Sequence, residues 1–313
     1  MVLVTLRIIL MYSILFMCCG PVSKEKNSSK DTVSSMVSGS NKSIKRVFDY
    51  NFEIPSETFV LESKLGEISS LGYSSEDNAF ITNNDEMGYI FTLDPNTFRI
   101  TAKTKFAKKG DYESIEKVGQ HIIVGKNTGK LYFYDKTMEE TQHFSTALSA
   151  KNDVEGLCYE EKSNALLLAC KGYPLAATTR KNNEKCVYKF DLTKKELVVD
   201  PFITITDDEL KSFVSSLFAD ESKSKLKKIK NRVKNFSPSG IAIHPLHGDY
   251  YIISAKGALL VIINKNKELR DVVFLNNKTN PQPEGICFDK ENNLYISTEG
   301  QGFSGKIFKF NYN

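Results

Sequence analysis

Residues 284–298, EGICFDKENNLYIST, decide the fold. They contain two short apolar segments, Glu284–Phe288 and Leu294–Thr298, and the polar residues Lys290–Asn293 between them. Segments of this length rich in β-branched and aromatic residues indicate strands, and Asn and Asp favour the turn that joins them. The segment therefore predicts an antiparallel hairpin, with a third strand at Lys306–Phe310.

Four earlier segments repeat this pattern. They start at Glu67, Glu113, Glu155 and Ser239, so the five starts, including Glu284, lie 46, 42, 84 and 45 residues apart. Four short antiparallel strands in every repeat of about 40–50 residues are typical of a β-propeller blade. The sequence predicts an all-β fold, a five-bladed β-propeller of four-stranded antiparallel blades. Six blades remain the alternative, because the 84-residue interval has room for another repeat.

The last repeat ends at Asn313, after its third strand. Its outer strand must come from another part of the chain, and Val47–Glu62, rich in Phe and Val, precedes the first repeat. Closing the ring with strands from both termini would remove exposed strand edges. We expect the N-terminal segment to supply this strand.

Helical signals fill the long interval. Thr206-Asp-Asp-Glu209 is a capping box, and apolar residues follow at helical spacing from Leu210 to Phe218. Residues 223–234 add seven Lys or Arg. We therefore predict a helical insertion near 206–234 in place of a sixth blade. Its basic segment is either a solvated helix face or a contact for anionic lipid or a partner.

The N-terminus predicts export. An apolar run from Ile8 to Cys19 follows Arg7 and is typical of a signal peptide or lipoprotein signal over residues 1–19, with Cys18 or Cys19 as the lipid acceptor. A plain signal peptide or an anchor helix are the alternatives. Residues 20–46 are rich in Ser, Lys and Asn and predict a flexible tether to the propeller domain, 47–313. We expect a membrane-anchored protein of the bacterial cell envelope, on the outer membrane or the periplasmic face.

Several elements in residues 55–313 resemble the SdiA-regulated, YjiK-like proteins. The matching elements are Glu67-x-Ser-Ser-Leu, Asn84-Asp85-Glu86, Asp111-Tyr-Glu113, Asp153-Val-Glu155-Gly, Lys171, Pro238-Ser-Gly240, Gln282-Pro-Glu-Gly285 and Ser297-Thr-Glu299. The resemblance implies an exported or membrane-anchored five-bladed propeller with a calcium site and no established activity. Ser70 stands where this family usually has Gly, and Tyr112 where it usually has Trp.

Acidic residues recur where the first strand of each repeat begins. Glu113, Glu155 and Glu284 share this position, Glu67 is expected to share it, and Ser239 holds it in the remaining repeat. First strands line the channel of a propeller, so these carboxylates would repel one another unless a cation neutralises them. Calcium takes 6–8 oxygen ligands. We predict a calcium site whose ligands are Glu67, Glu113, Glu155, Glu284, Ser239 and Asp85. Alternatively, these acids cap strand amides or face water.

The remaining motifs give weaker indications of function. Pro245 separates His244 from His247 at an expected turn, so we interpret this pair as turn surface. Cys158, Cys170, Cys186 and Cys287 are interpreted as small core residues rather than a disulfide framework. A net charge of +4 is too small for a nucleic-acid-binding footprint over the whole molecule.

Two functions fit these features. The first is a monomeric, calcium-binding module that presents the channel mouth to a protein, peptide or glycan. The second is a lactonase-like or esterase-like hydrolase in which calcium polarises the substrate. The channel candidates are acids and no His lies in a repeat-start motif, which favours the binding module.

Overall fold

The computed structural model describes residues 49–176, 183–276 and 281–313. Every described residue belongs to the compact unit Ser43–Asn313. Cys18, Cys19 and the whole of the predicted tether, residues 20–46, lie outside the described residues. Within the described ranges, no helix is long and apolar enough to cross a membrane.

Twenty strands and two α-helices make up the described fold. In chain order the strands are β1 (Glu57–Val60), β2 (Gly72–Ser74), β3 (Ala79–Asn83), β4 (Tyr89–Leu93), β5 (Ile100–Lys105), β6 (Tyr112–Val118), β7 (His121–Lys126), β8 (Leu131–Tyr134), β9 (Glu140–Phe144), β10 (Val154–Glu160), β11 (Ala165–Cys170), β12 (Glu184–Asp191), β13 (Glu196–Thr206), β14 (Pro238–Ile243), β15 (Tyr250–Ser254), β16 (Leu259–Ile263), β17 (Leu269–Phe274), β18 (Pro283–Phe288), β19 (Leu294–Thr298) and β20 (Lys306–Phe310). The helices are α1 (Asp207–Leu217) and α2 (Lys223–Val233). Two single-turn 3₁₀-helices lie at Ser63–Leu65 and Glu161–Ser163.

The strands form five four-stranded antiparallel sheets. Four blades are consecutive in the chain, β2–β5, β6–β9, β10–β13 and β14–β17, and the fifth has the order β1-β20-β19-β18. The innermost strands β2, β6, β10, β14 and β18 contact their neighbours around one axis. The protein is thus a five-bladed β-propeller, as predicted, and the six-bladed alternative is excluded.

The N-terminal segment closes the ring. β1 pairs antiparallel with β20, so that Thr58 lies opposite Phe308. Backbone bonds from Ser56 N to Lys309 O (2.7 Å) and from Leu61 N to Gly305 O (2.9 Å) extend the pairing at both ends. The expected strand donation is confirmed, and the outer edge of β20 is covered rather than exposed.

The predicted helical insertion joins the third blade to the fourth. Thr206 caps α1, because its hydroxyl accepts a hydrogen bond from Glu209 N at 3.1 Å. Leu210 and Val214 of α1, and Ile229 and Val233 of α2, are buried in an apolar cluster shared by these two blades. The insertion is therefore an integral part of the core.

Five aliphatic residues, each in an innermost strand or directly before it, line a small cavity near the propeller axis. None of the five is more than 6 % exposed: Leu71, Ile115, Leu157, Ile241 and Ile286. We call these five residues the plug. We call the polar end of the axis the pit.

Candidate functional site

A β-bulge lies near the start of each innermost strand. Tyr112 pairs with Lys126 and Ser114 with Gly125, so Glu113 is left between two ladder pairs without a partner. The same slip in register isolates Glu155 and Ser239 and includes Glu284. A bulge re-aims the extra residue and is common next to binding sites. The predicted repeat-start residues are thus presented by a shared backbone irregularity.

The first blade departs from the predicted alignment. Ile68 bridges to Asn84 and Gly72 pairs with Ile81, so the register slips by one residue there too. Ser69 follows Ile68 as Glu113 follows Tyr112, and it therefore holds the equivalent position. Placing Glu67 at that position is wrong, because Glu67 lies two residues earlier and is exposed. Sequence spacing alone does not resolve an offset of two residues in a strand this short.

The bulge residues form the inner tier of the pit: Ser69, Glu113, Glu155, Ser239 and Glu284. Glu155, Ser239 and Glu284 line a small cavity of about 10 Å³ above the plug. That volume is about the smallest that holds one water molecule. The Ser239 hydroxyl donates to Pro283 O at 2.6 Å. The buried Ser69 hydroxyl has no hydrogen-bond partner among the described residues.

Two further tiers surround the inner one. The outer tier consists of the residues that directly precede the first pair between the first and second strands of each blade: Glu67, Asp111, Asp153, Ser237 and Gln282. The rim is the residue that follows the last paired residue of each second strand: Asp85, Asn127, Lys171, Ala255 and Glu299. Together the three tiers hold eight carboxyl groups, Glu67, Asp85, Asp111, Glu113, Asp153, Glu155, Glu284 and Glu299. We call them the acidic mouth.

Lys171 provides an internal counter-ion. Its Nζ lies 2.7 Å from Glu155 Oε1, and the Glu155 side chain is 7 % exposed. Burial lowers the pKa of Lys171, but its pairing with Glu155 and the nearby Asp153 and Glu284 outweigh burial and raise the pKa. The ammonium of Lys171 therefore stays charged. Lys185 holds the backbone of Lys171 in place, since its Nζ donates a hydrogen bond to Lys171 O at 2.6 Å.

One lysine does not neutralise the acidic mouth. The pKa values of Glu113 and Glu284 are raised well above the usual range. Burial is the largest cause, and repulsion by the neighbouring Glu155 is the second. Burial raises the pKa of Glu299 to about 7, with further contributions from Glu67 and Asp85. Burial also raises the pKa of Glu155 in spite of Lys171. In the absence of another cation, several of these groups would hold protons near neutral pH.

The carboxylates surround the pit without converging on one point. Among the described residues, only Asp49, His244 and His247 form a group of three His, Cys, Asp or Glu ligand atoms all within 4.8 Å of one another. Of the predicted ligands, Glu155, Ser239 and Glu284 line the cavity, and Glu113 lies close enough to Glu155 for their charges to repel. Asp85 and Glu67 do not line the cavity. A cation at the centre would have to draw these side chains inward.

The family model described as SdiA-regulated matches residues 45–304. The chain belongs to the SdiA-regulated family. The match covers every strand except β20, and the resemblance predicted from the sequence is confirmed. No curated protein sequence is significantly similar to this chain.

Solved structures share the architecture of this SdiA-regulated protein. The glutaminyl cyclase of Myxococcus xanthus is 9 % identical, with a TM-score of 0.53, and the alignment covers 82 % of this chain and 94 % of that one. XC5397 of Xanthomonas campestris, described as a gluconolactonase, is 9 % identical, with a TM-score of 0.48 and coverage of 85 % and 89 %. At this identity the likeness to the glutaminyl cyclase shows the fold alone.

The His pair of this SdiA-regulated protein has a structural role. Residues 245–247 form the predicted turn, but His244 is fully buried and not on the turn surface. His244 Nδ1 accepts from Leu246 N (3.2 Å) and His247 N (3.3 Å), which assigns the proton to Nε2, 2.9 Å from Tyr50 Oη. Burial lowers the pKa of His244 to about 4, so the ring is neutral. With both nitrogens engaged, His244 ties the N-terminal segment to the fourth blade.

Sequence reasoning left four mouth residues out of the candidate site: Asp111, Asp153, Lys171 and Glu299. A signal for them exists in the chain. Asp111 and Asp153 each stand two residues before a bulge glutamate, and Lys171 and Glu299 each follow a second strand. The four cysteines meet the prediction, since Cys158, Cys170, Cys186 and Cys287 are all buried and free.

Proposed function

We propose that this protein is a binding module whose acidic mouth takes up calcium. The observation that carries the proposal is the concentration of eight carboxyl groups in a pit where Lys171 is the only paired cation among the described residues. Keeping carboxyl groups buried together disfavours their ionised forms, and a divalent cation relieves this cost. Calcium suits the site because its ligands are oxygens and its geometry is flexible.

The residues present fit an oxygen-ligated cation. Glu155 and Glu284 face the cavity from different blades, Glu113 lies close enough to Glu155 for their charges to repel, and Ser69 offers a buried hydroxyl without a partner among the described residues. Calcium would compete with the Lys171 ammonium for Glu155. Because the carboxylates do not converge on one point, binding would involve inward movement of side chains. Such movement is compatible with a flexible calcium site and less so with the rigid octahedral geometry of magnesium.

The ligand of the module would approach the calcium from the open side of the pit. A protein, peptide or glycan would contact the rim and the loops next to it. Phe303, in the loop that follows Glu299, is 84 % exposed and adds an aromatic surface on this side. An exposed aromatic beside a calcium ion suits a ligand with both oxygen donors and an apolar face.

No described observation favours the hydrolase alternative. Hydrolysis needs a base within hydrogen-bond reach of the substrate, and none of the four histidines lines the cavity above the plug. The cavity itself has room for about one water molecule. We retain export and attachment through Cys18 or Cys19 as part of the proposal, because calcium is available outside the cytoplasm.

Calorimetric titration tests the proposal. Protein freed of metal with a chelator is titrated with CaCl₂, and its thermal unfolding is followed with calcium or with chelator. We expect saturable binding and a higher unfolding temperature with calcium, and weaker binding of magnesium. Absence of both binding and stabilisation would refute a calcium site in the acidic mouth.

A further inference from the structure

One helix of the propeller domain is strongly basic. Residues 223–234, which include α2, hold seven Lys or Arg and no Asp or Glu, whereas the whole chain has a net charge of only +4. The rest of the molecule is therefore net negative. This separation places a basic surface on the outside of a protein whose axial pit is acidic.

The lysines of α2 are arranged in a stripe. Four of them recur at i, i+4, i+7 and i+11 and so share one side of the helix: Lys223, Lys227, Lys230 and Lys234. None has a carboxylate within ion-pair distance among the described residues. Like charges at i, i+4 destabilise a helix, and Lys223 in the first turn opposes the helix dipole. A stripe that costs the helix stability indicates a partner that offsets the repulsion.

An apolar groove borders the opposite edge of the exposed face of α2. It has a volume of about 450 Å³, and its walls include Phe52, Phe274 and Ile229, with Lys225 and Arg232 at its border. Ile54, two residues after Phe52, is 68 % exposed. Apolar surface beside a cationic helix matches an amphiphile with anionic head groups, whereas a soluble polyanion would leave the groove in contact with water.

We propose that α2 docks the propeller onto an anionic phospholipid surface. The exposed face of α2 would lie against the lipid head groups, with the lysine stripe reaching the phosphates at one edge and the groove and Ile54 at the other edge. The described chain begins at Asp49, one residue before the groove wall at Tyr50, so a tether to a membrane would leave the domain beside this surface. The acidic mouth takes no part in this contact, and the proposal is independent of calcium.

Vesicle binding tests this docking. The protein used is residues 43–313, because this compact unit contains the closed ring and lacks the predicted anchor. The test variant is K223Q/K227Q/K230Q/K234Q. The matched control, K64Q/K136Q/K162Q/K265Q, changes the net charge equally at exposed lysines on other parts of the surface. Thermal unfolding of both variants confirms that they fold.

Sedimentation with vesicles of phosphatidylglycerol and phosphatidylcholine measures the affinity. We expect the stripe variant to bind at least tenfold more weakly than the parent, and the control variant less than twofold more weakly. We expect vesicles of pure phosphatidylcholine to bind neither the parent nor the variants. An equal loss of vesicle affinity in both variants would show that binding depends on net charge alone, and would overturn the proposal. Binding of the parent to polyphosphate or RNA at least as tightly as to the anionic vesicles would also overturn it, in favour of a soluble polyanion.

Discussion

Glu155→Gln separates the two roles assigned to Glu155. This carboxylate pairs with Lys171 at 2.7 Å in the structure, and in the proposed calcium complex it would be a ligand. The substitution preserves size and hydrogen-bonding capacity but removes the negative charge. We therefore expect a modest loss of stability without calcium and the loss of most of the stabilisation by calcium.

The magnitudes follow from the burial of the pair. Breaking a fully buried ion pair costs about 3–5 kcal/mol, but the Lys171 side chain is 35 % exposed, which reduces the expected cost to about 1–2 kcal/mol. Calcium at a hundredfold excess over its dissociation constant would stabilise the parent by about 2.7 kcal/mol. For a domain of this size each kcal/mol shifts the unfolding temperature by about 2 °C, so the calcium shift should be about 5 °C.

Differential scanning calorimetry with calcium or with chelator measures both effects. Glu160→Gln is the matched control, because Glu160 is also a buried, ion-paired glutamate of β10, bound to Lys189 at 2.6 Å. It lies at the opposite end of that strand. The control should keep the full calcium shift, and Glu155→Gln should keep less than about 1 °C of it. An unchanged calcium shift in Glu155→Gln would show that the reasoning about the mouth is wrong.

Three further predictions concern pH and closure of the ring. The pKa of Glu299 is raised from 4.5 to about 7 in the folded protein, so chelated protein should lose stability as pH rises through this window, and the calcium shift should be larger at pH 8 than at pH 6. Tyr50→Phe removes the hydroxyl that bonds His244 and Asn292 O, and denaturant unfolding should show a loss of about 1–3 kcal/mol. Deletion of Glu57–Val60 exposes the edge of β20, and size-exclusion chromatography should show association.

Each of these predictions has a contrary outcome. A chelated protein that gains stability between pH 4.5 and 7 would contradict the assignment of buried, protonated carboxyl groups. An unchanged unfolding free energy in Tyr50→Phe would mean that the hydroxyl makes no net contribution. A monodisperse, monomeric deletion variant would show that β1 is dispensable for covering the edge.

The architecture was predictable because it depends on local patterns repeated along the chain. Alternating apolar residues and turn signals at regular intervals specify the blades, and the incomplete last repeat specifies that a strand must come from the N-terminus. The capping residue Thr206 and the apolar spacing after it specify α1 in the same local way. None of these features needs knowledge of which blades become neighbours.

The site depends on contacts that local patterns do not encode. Ser69, and not Glu67, holds the bulge position of the first blade, because pairing with the second strand sets the register there. His244 is buried because Tyr50, 194 residues away, packs on it when the ring closes. The sequence by itself determined the propeller, its closure and its inserted helices. Only the tertiary structure decided which acids share the mouth and that Lys171 pairs with Glu155, because ring closure and strand register place side chains from different blades around one axis.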